Sequence, residues 1–200
     1  MSSPRDVFVN CAFDPQFQPL FYGIVFAIVR SGFRARCAME ADDALESRFA
    51  KIQRIIAECR YSIHDISRTE VDGDPPLPRF NMPLELGVFI GAKRYGGPRH
   101  SEKRALILDT VPYRYQRFIS DIAGQDIQYH NGNIVEAITK TASWLRNKSR
   151  RTTVPGGAAI ATEYAEFQAA LPTILHGLGL QEHEVTFSDY LALIESYITE

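Results

Sequence analysis

The sequence predicts an α/β fold: a parallel sheet of about five strands with helices on both faces, followed by a helical C-terminal extension. Three observations carry that expectation. Short β-rich apolar runs alternate with longer segments of helical periodicity, joined by short connections. The strand-like runs end in polar groups, at Asn10, His64-Asp65 and Asp109, where parallel strands leave a sheet and ligands bind. Two hundred residues, 45% hydrophobic and 23% charged, suffice for one ordinary core plus an accessory element.

Taken in order, DVFVNC (Asp6 to Cys11) alternates and reads as the first strand. A polar loop from Asn10 to Gln18, carrying Phe13 and Asp14, is a candidate ligand loop before an apolar helix, Leu20 to Arg30, closed by Ser31-Gly32. Phe33 to Met39 reads as the second strand, ending at Glu40, Asp42 and Asp43. The next helix, Ala44 to Arg60, places Leu45, Phe49, Ile52, Ile55, Ile56 and Cys59 on one face.

The third strand ends in His64-Asp65, and a polar, proline-rich loop then leads to a helix. Asn81 is its expected N-cap, Pro83 sits in its first turn where a missing N–H costs nothing, and Glu85 follows about four residues in. Leu84, Leu86, Val88, Phe89, Ile90 and Ala92 make this helix apolar on most of its circumference, so a charge there is conspicuous. Gly87 and Gly91, one turn apart, suggest close approach of another backbone. Lys103 to Asp109 and Asp126 to His130 read as the last strands, with a helix through Trp144 after them. Placing the first strand centrally gives the flavodoxin-like order 2-1-3-4-5, whose switch point brings the Asn10 to Asp14 loop beside Asp65 and Glu85.

Residues 1–147 then form the main domain, 148–157 a linker that takes in most of the basic run RNKSRRTTVP (Arg146 to Pro155), and 158–200 the helical extension. In the extension Ile160, Tyr164, Phe167 and Leu171 share a face. Pro172 is expected to kink or restart the helix, and Ile174, Leu175 and Leu178 continue the stripe. Thr186 with Asp189 reads as a capping box for a last helix. These helices carry no evident chemistry and should dock on the main domain or on another subunit.

Several classes are disfavoured. A net charge of −2 supplies no field for direct nucleic-acid binding. The N-terminus enters a strand at once, leaving no room for a secretory signal, and the most apolar run, Leu20 to Val29, is about half a membrane span, so a cytoplasmic, non-membrane protein is expected. Cys11, Cys37 and Cys59 form no CxxC pair and the five histidines have no metal-ligand spacing, so buried free thiols and no metal are expected. There is no P-loop and no GxGxxG. No cofactor is expected.

Glu85 and Asp65 each have a plain structural reading, as a helix-dipole partner and as a turn-forming acid. Together, at one sheet edge, they are more informative. Asp65 followed about twenty residues later by MPLELGVFIGAKR resembles the nucleoside 2-deoxyribosyltransferase family, in which a helix-borne Glu is the nucleophile, and extends to the TIR-like branch of the same group. The resemblance covers roughly the first 145 residues. It implies a flavodoxin-like sheet, cleavage or transfer at the N-glycosidic bond of a nucleoside, nucleotide or NAD, and a homo-oligomer; the TIR-like branch serves in bacterial antiphage defence. NAD enters as substrate. The chain departs from the family at Arg79-Phe80-Asn81-Met82-Pro83, where a basic residue stands about where the family has an acid.

An N-glycosidic bond breaks through an oxocarbenium-like cation, which a carboxylate stabilises or traps. Glu85 is the candidate, held ionised by the helix N-terminus. Asp65 would hold a sugar hydroxyl or the base, Arg68 and Arg79 would meet phosphates, and Phe13 would stack on a base. Asn10, Asp14, His64, Ser67, Asn81 and Met82 complete the expected substrate contacts. The competing reading is a binding module that senses a nucleotide signal without turnover and transmits it through the C-terminal helices.

Overall fold

A computed structural model describes residues 5–40, 45–69, 71–72 and 77–199. The expected Asp42 and Asp43 at the end of the second strand, and residues 73–76 of the proline-rich loop, lie outside the described residues.

Five strands form one all-parallel sheet: β1 (Asp6–Asn10), β2 (Arg34–Arg36), β3 (Tyr61–Asp65), β6 (Arg104–Asp109) and β7 (Gln128–Tyr129). Their spatial order β2-β1-β3-β6-β7 is the flavodoxin-like arrangement, with β1 central. A small antiparallel ribbon, β4 (Val71–Asp72) with β5 (Leu77–Pro78), interrupts the connection after β3. The second and fifth strands are shorter than their sequence runs because they are the sheet's edges, where only one neighbour supplies hydrogen bonds.

Helices cover both faces. α1 (Gln18–Arg30) and α4 (Ile134–Ser149) pack on one, and α2 (Arg48–Glu58) and α3 (Asn81–Tyr95) on the other. The extension comprises α5 (Gly157–Leu178) and α6 (Phe187–Tyr197). α1 is apolar all round for a visible reason: the sheet lies on one side and α4, α5 and α6 on the others, so every residue from Leu20 to Val29 except Tyr22 is buried. Ile160, Phe167, Tyr190 and Ile194 join the same core cluster as Val7, Val9 and Ile63, so the extension shares the main domain's core. Arg30 and Glu163 clamp α1 to α5 with a bidentate ion pair.

The structure corrects several local expectations. The helix before β3 starts at Arg48 with Ser47 as its cap, and Leu45 lies exposed outside it; Phe49 is also largely exposed. Helix α4 runs on through Ser149, so the linker is shorter than the basic run, and Val154 within it is buried. Pro172 lies inside an unbroken α5. In α3 the cap position belongs to Phe80 and Asn81 is already helical, which moves Glu85 to the fifth residue, beyond the first turn. Gly87 and Gly91 meet nothing that a Cβ would touch. The close approaches occur elsewhere, at Gly23, where a Cβ would stand 2.7 Å from Ile134, and at Gly157, 2.5 Å from the Thr139 Cα. Pro83 and the Thr186–Asp189 capping box fall as expected.

Candidate functional site

The C-terminal ends of β1, β3 and β6 and the loops beyond them gather six of the fourteen buried polar or charged side chains among the described residues. Asn10, His64, Asp65, Ser67, Asp109 and His130 are all buried there, an arrangement a plain apolar core does not need.

Strand alternation divides these groups between the two faces of the sheet. Tyr61 and Ile63 pack toward α1 and α4, so Asp65, two residues on, points to that side; Ser62 and His64 point to the other. On the α2/α3 side, Asn10 Nδ2 donates to His64 Nδ1 at 2.9 Å and to the Met82 carbonyl at 2.8 Å, tying β1 and β3 to the first turn of α3. His64 is wholly enclosed between the Phe8 and Phe89 rings, and burial aided by the Lys103 charge pushes its pKa down to about 3. It is a fixed neutral brace, out of reach of any ligand.

Met82, Glu85, Leu86 and Phe89 form the sheet-facing stripe of α3. Glu85 is only 8% exposed, and its carboxylate has no hydrogen bond or ion pair among the described residues. Burial pushes its pKa from 4.5 up to about 7, with the Arg48 charge at the start of α2 pulling the other way. The expected helix-dipole stabilisation of the ionised form is therefore overturned: the dipole acts within the first turn, and desolvation dominates at the fifth residue.

On the opposite side, Asp65 Oδ1 accepts from the Ser67 N–H at 2.9 Å and from the Ser67 hydroxyl. Its Oδ2 lies 3.2 Å from His130 Nε2, close enough for an ion pair but out of line for a hydrogen bond. His130 Nδ1 accepts from the Gly132 N–H at 3.1 Å, which leaves the ring proton on Nε2, facing Asp65. Arg114 straps the neighbouring loops together, donating to Asp109 Oδ1, Thr69 Oγ1 and the Ile66 carbonyl at 2.7, 2.9 and 2.7 Å. Burial pushes the Asp109 carboxyl up, against the pull of Arg114.

Two cavities open at this edge, separated by the loop after β1. The larger, about 710 Å³, is lined by Phe13, Tyr22, Met39, Arg48 and Lys51 and closed by residues 185–187 ahead of and at the start of α6. Glu85 does not line it, although the Arg48 charge reaches it. The smaller, about 530 Å³, is lined by Phe17, Ser67, Arg68, Thr110 and His130. Asp14 holds the loop between them, 3.4 Å from both Arg68 and Arg79.

The expected site residues are thus distributed rather than gathered. Phe13 lines the larger cavity and Ser67 and Arg68 the smaller. Asn10, His64 and Met82 are buried supports; Asn81 is exposed at the start of α3. Sequence reasoning missed Arg48, Lys51, His130, Asp109 as a site member, Arg114 and the wall at residues 185–187. Asp109 alone left a signal, as an acid at a strand end. The three cysteines are free and buried, with raised pKa values. No cluster of metal-ligating side chains occurs among the described residues, and no described helix is long and apolar enough to cross a membrane. Comparison of the chain with family models, curated proteins and solved structures returns no match.

Proposed function

We propose that this chain cleaves or transfers the N-glycosidic bond of a nucleoside, nucleotide or NAD, with Glu85 as the nucleophile or cation stabiliser. The observation that supports this most is Glu85 itself: a buried carboxylate with no hydrogen bond or ion pair among the described residues and a pKa raised to about 7, in the field of Arg48, which lines a 710 Å³ cavity at the ligand-binding edge of a parallel sheet. A carboxylate left without partners is costly, and a developing sugar cation is the partner that would offset that cost in the transition state.

In this scheme the ionised Glu85 attacks or shields the anomeric carbon as the base departs, and water or an acceptor base completes the cycle. Asn10 positions it by anchoring the Met82 carbonyl one turn away. Incubating the protein with NAD and with a panel of deoxynucleosides, and following base release by chromatography, tests the proposal. Release that disappears in Glu85→Gln supports it; release that survives the substitution sinks it.

A second reading rests on its own observation. Val185, Thr186 and Phe187 form a wall of the larger cavity, so a bound ligand would touch the start of α6 directly. That suits a nucleotide-sensing module acting through its C-terminal helices. Ligand binding without turnover, accompanied by changed hydrogen exchange in α6, would favour this reading.

A further inference from the structure

The larger cavity is lined by two basic side chains and one acidic one. Its side-chain charges are Arg48, Lys51 and Glu46, and Glu46 is neutralised from outside by Arg54, which donates to it at 2.9 and 2.8 Å. Arg48 has no hydrogen bond or ion pair among the described residues; its guanidinium lies 5.8 Å from the centre of the Phe13 ring. It is the first residue of α2, after the Ser47 cap, so the helix backbone fixes where its side chain starts. The cavity wall around it is aromatic and apolar, with Phe13, Phe21, Tyr22 and Met39.

An arginine fork in a concave, partly apolar wall is suited to a planar or tetrahedral anion, which it can bind through two parallel N–H donors. An aromatic surface next to it suits the rest of a nucleotide. We infer that Arg48 is the residue that sets specificity at this cavity, selecting a phosphate-bearing substrate over an uncharged nucleoside. The inference rests on the assignment of Glu85 to glycosidic chemistry and narrows it: the substrate is a nucleoside 5′-phosphate or a dinucleotide such as NAD, both of which present the same phosphate chemistry to Arg48. The Arg48 charge also reaches Glu85, which links recognition of the anion to the reacting carboxylate.

Calorimetric titration of the full chain with adenosine, adenosine 5′-monophosphate, NAD and inorganic phosphate tests this. A phosphate-bearing ligand should bind about tenfold or more tightly than adenosine, the increment of one charge-assisted contact. Arg48→Gln should erase that advantage, Arg48→Lys should keep part of it, and Glu85→Gln should keep all of it. Preference for the monophosphate or for NAD identifies which source of phosphate the cavity takes. Equal affinity for adenosine and its monophosphate overturns the inference, as does an advantage that persists in Arg48→Gln or a failure of every ligand to bind. The adenosine comparison on the unsubstituted chain decides the matter even where a variant does not fold. Phosphate preference without base release upholds the role of Arg48 and removes that of Glu85; base release without phosphate preference does the reverse.

Discussion

Glu85 and Asp65 are two buried acids at the same end of one sheet, and they are in opposite circumstances. Asp65, 2% exposed, has one oxygen held by the Ser67 backbone and hydroxyl, and the other 3.2 Å from His130 Nε2 without a hydrogen bond. Glu85, 8% exposed, meets the field of Arg48 and has no hydrogen bond or ion pair among the described residues. A buried carboxylate with partners organises loops; one without partners is an unfavourable feature that persists where a ligand uses it. Partner satisfaction, rather than burial or position, distinguishes the two acids, and it is the ground on which Glu85 rather than Asp65 is proposed as the reacting one.

The largest effect that would sharpen this contrast is on turnover. Glu85→Gln should lower base release by roughly 10²- to 10⁴-fold with the fold intact. If the ionised form is the nucleophile, the rate in the unsubstituted chain should rise with pH through about 7, where the carboxyl loses its proton. A flat profile from about pH 5 to 9 would break the assignment.

Stability should show the contrast reversed. Asp65→Ala strands the Ser67 donors and the His130 ring in a buried site, and should cost about 3–5 kcal/mol in denaturant unfolding. An Asp65→Ala protein as stable as the parent would place Asp65 with Glu85 after all. Glu85→Gln should instead stabilise the protein, and only at higher pH. Because the folded pKa of Glu85 is raised, both states hold the proton below about 4.5, and the penalty of ionising it in the folded state grows as pH rises toward 7. The gain in the variant should approach roughly 3 kcal/mol near pH 8 and vanish near pH 4, read as the difference between two urea-unfolding series.

The smallest effect concerns the exposed rim. Arg79→Ala removes a 3.4 Å contact to Asp14 from a side chain that is 44% exposed, so it should cost less than about 1 kcal/mol. A larger loss would show that the loop between the two cavities is held by this pair.

Much of the fold was legible because it depends on local periodicity. The β1 and β3 runs, the apolar α1, the Ser31-Gly32 stop and the Thr186–Asp189 box are all properties of a few adjacent residues, and the structure keeps them. The strand order followed from alternation and short connections. The conformation of α3 was less legible. Its outer residues Phe80, Leu84 and Ile90 are as apolar as its buried ones yet are exposed, so composition did not reveal which face meets the sheet. The two glycines there suggested a close approach that occurs instead at Gly23 and Gly157.

By itself the sequence determined the α/β class, the parallel order, the helical extension and the presence of acids at the strand ends, because hydrophobic period and chain connectivity act over short distances. Only the tertiary structure decided which face each acid occupies and what surrounds it. Arg48 meets the field of Glu85 across a helix pair, His130 meets Asp65 across sixty-odd residues, and residues 185–187 close a cavity whose floor begins at Phe13. Those encounters depend on how the helices stack on the sheet, and it is desolvation in the packed state, absent from any single stretch of chain, that raises the Glu85 pKa.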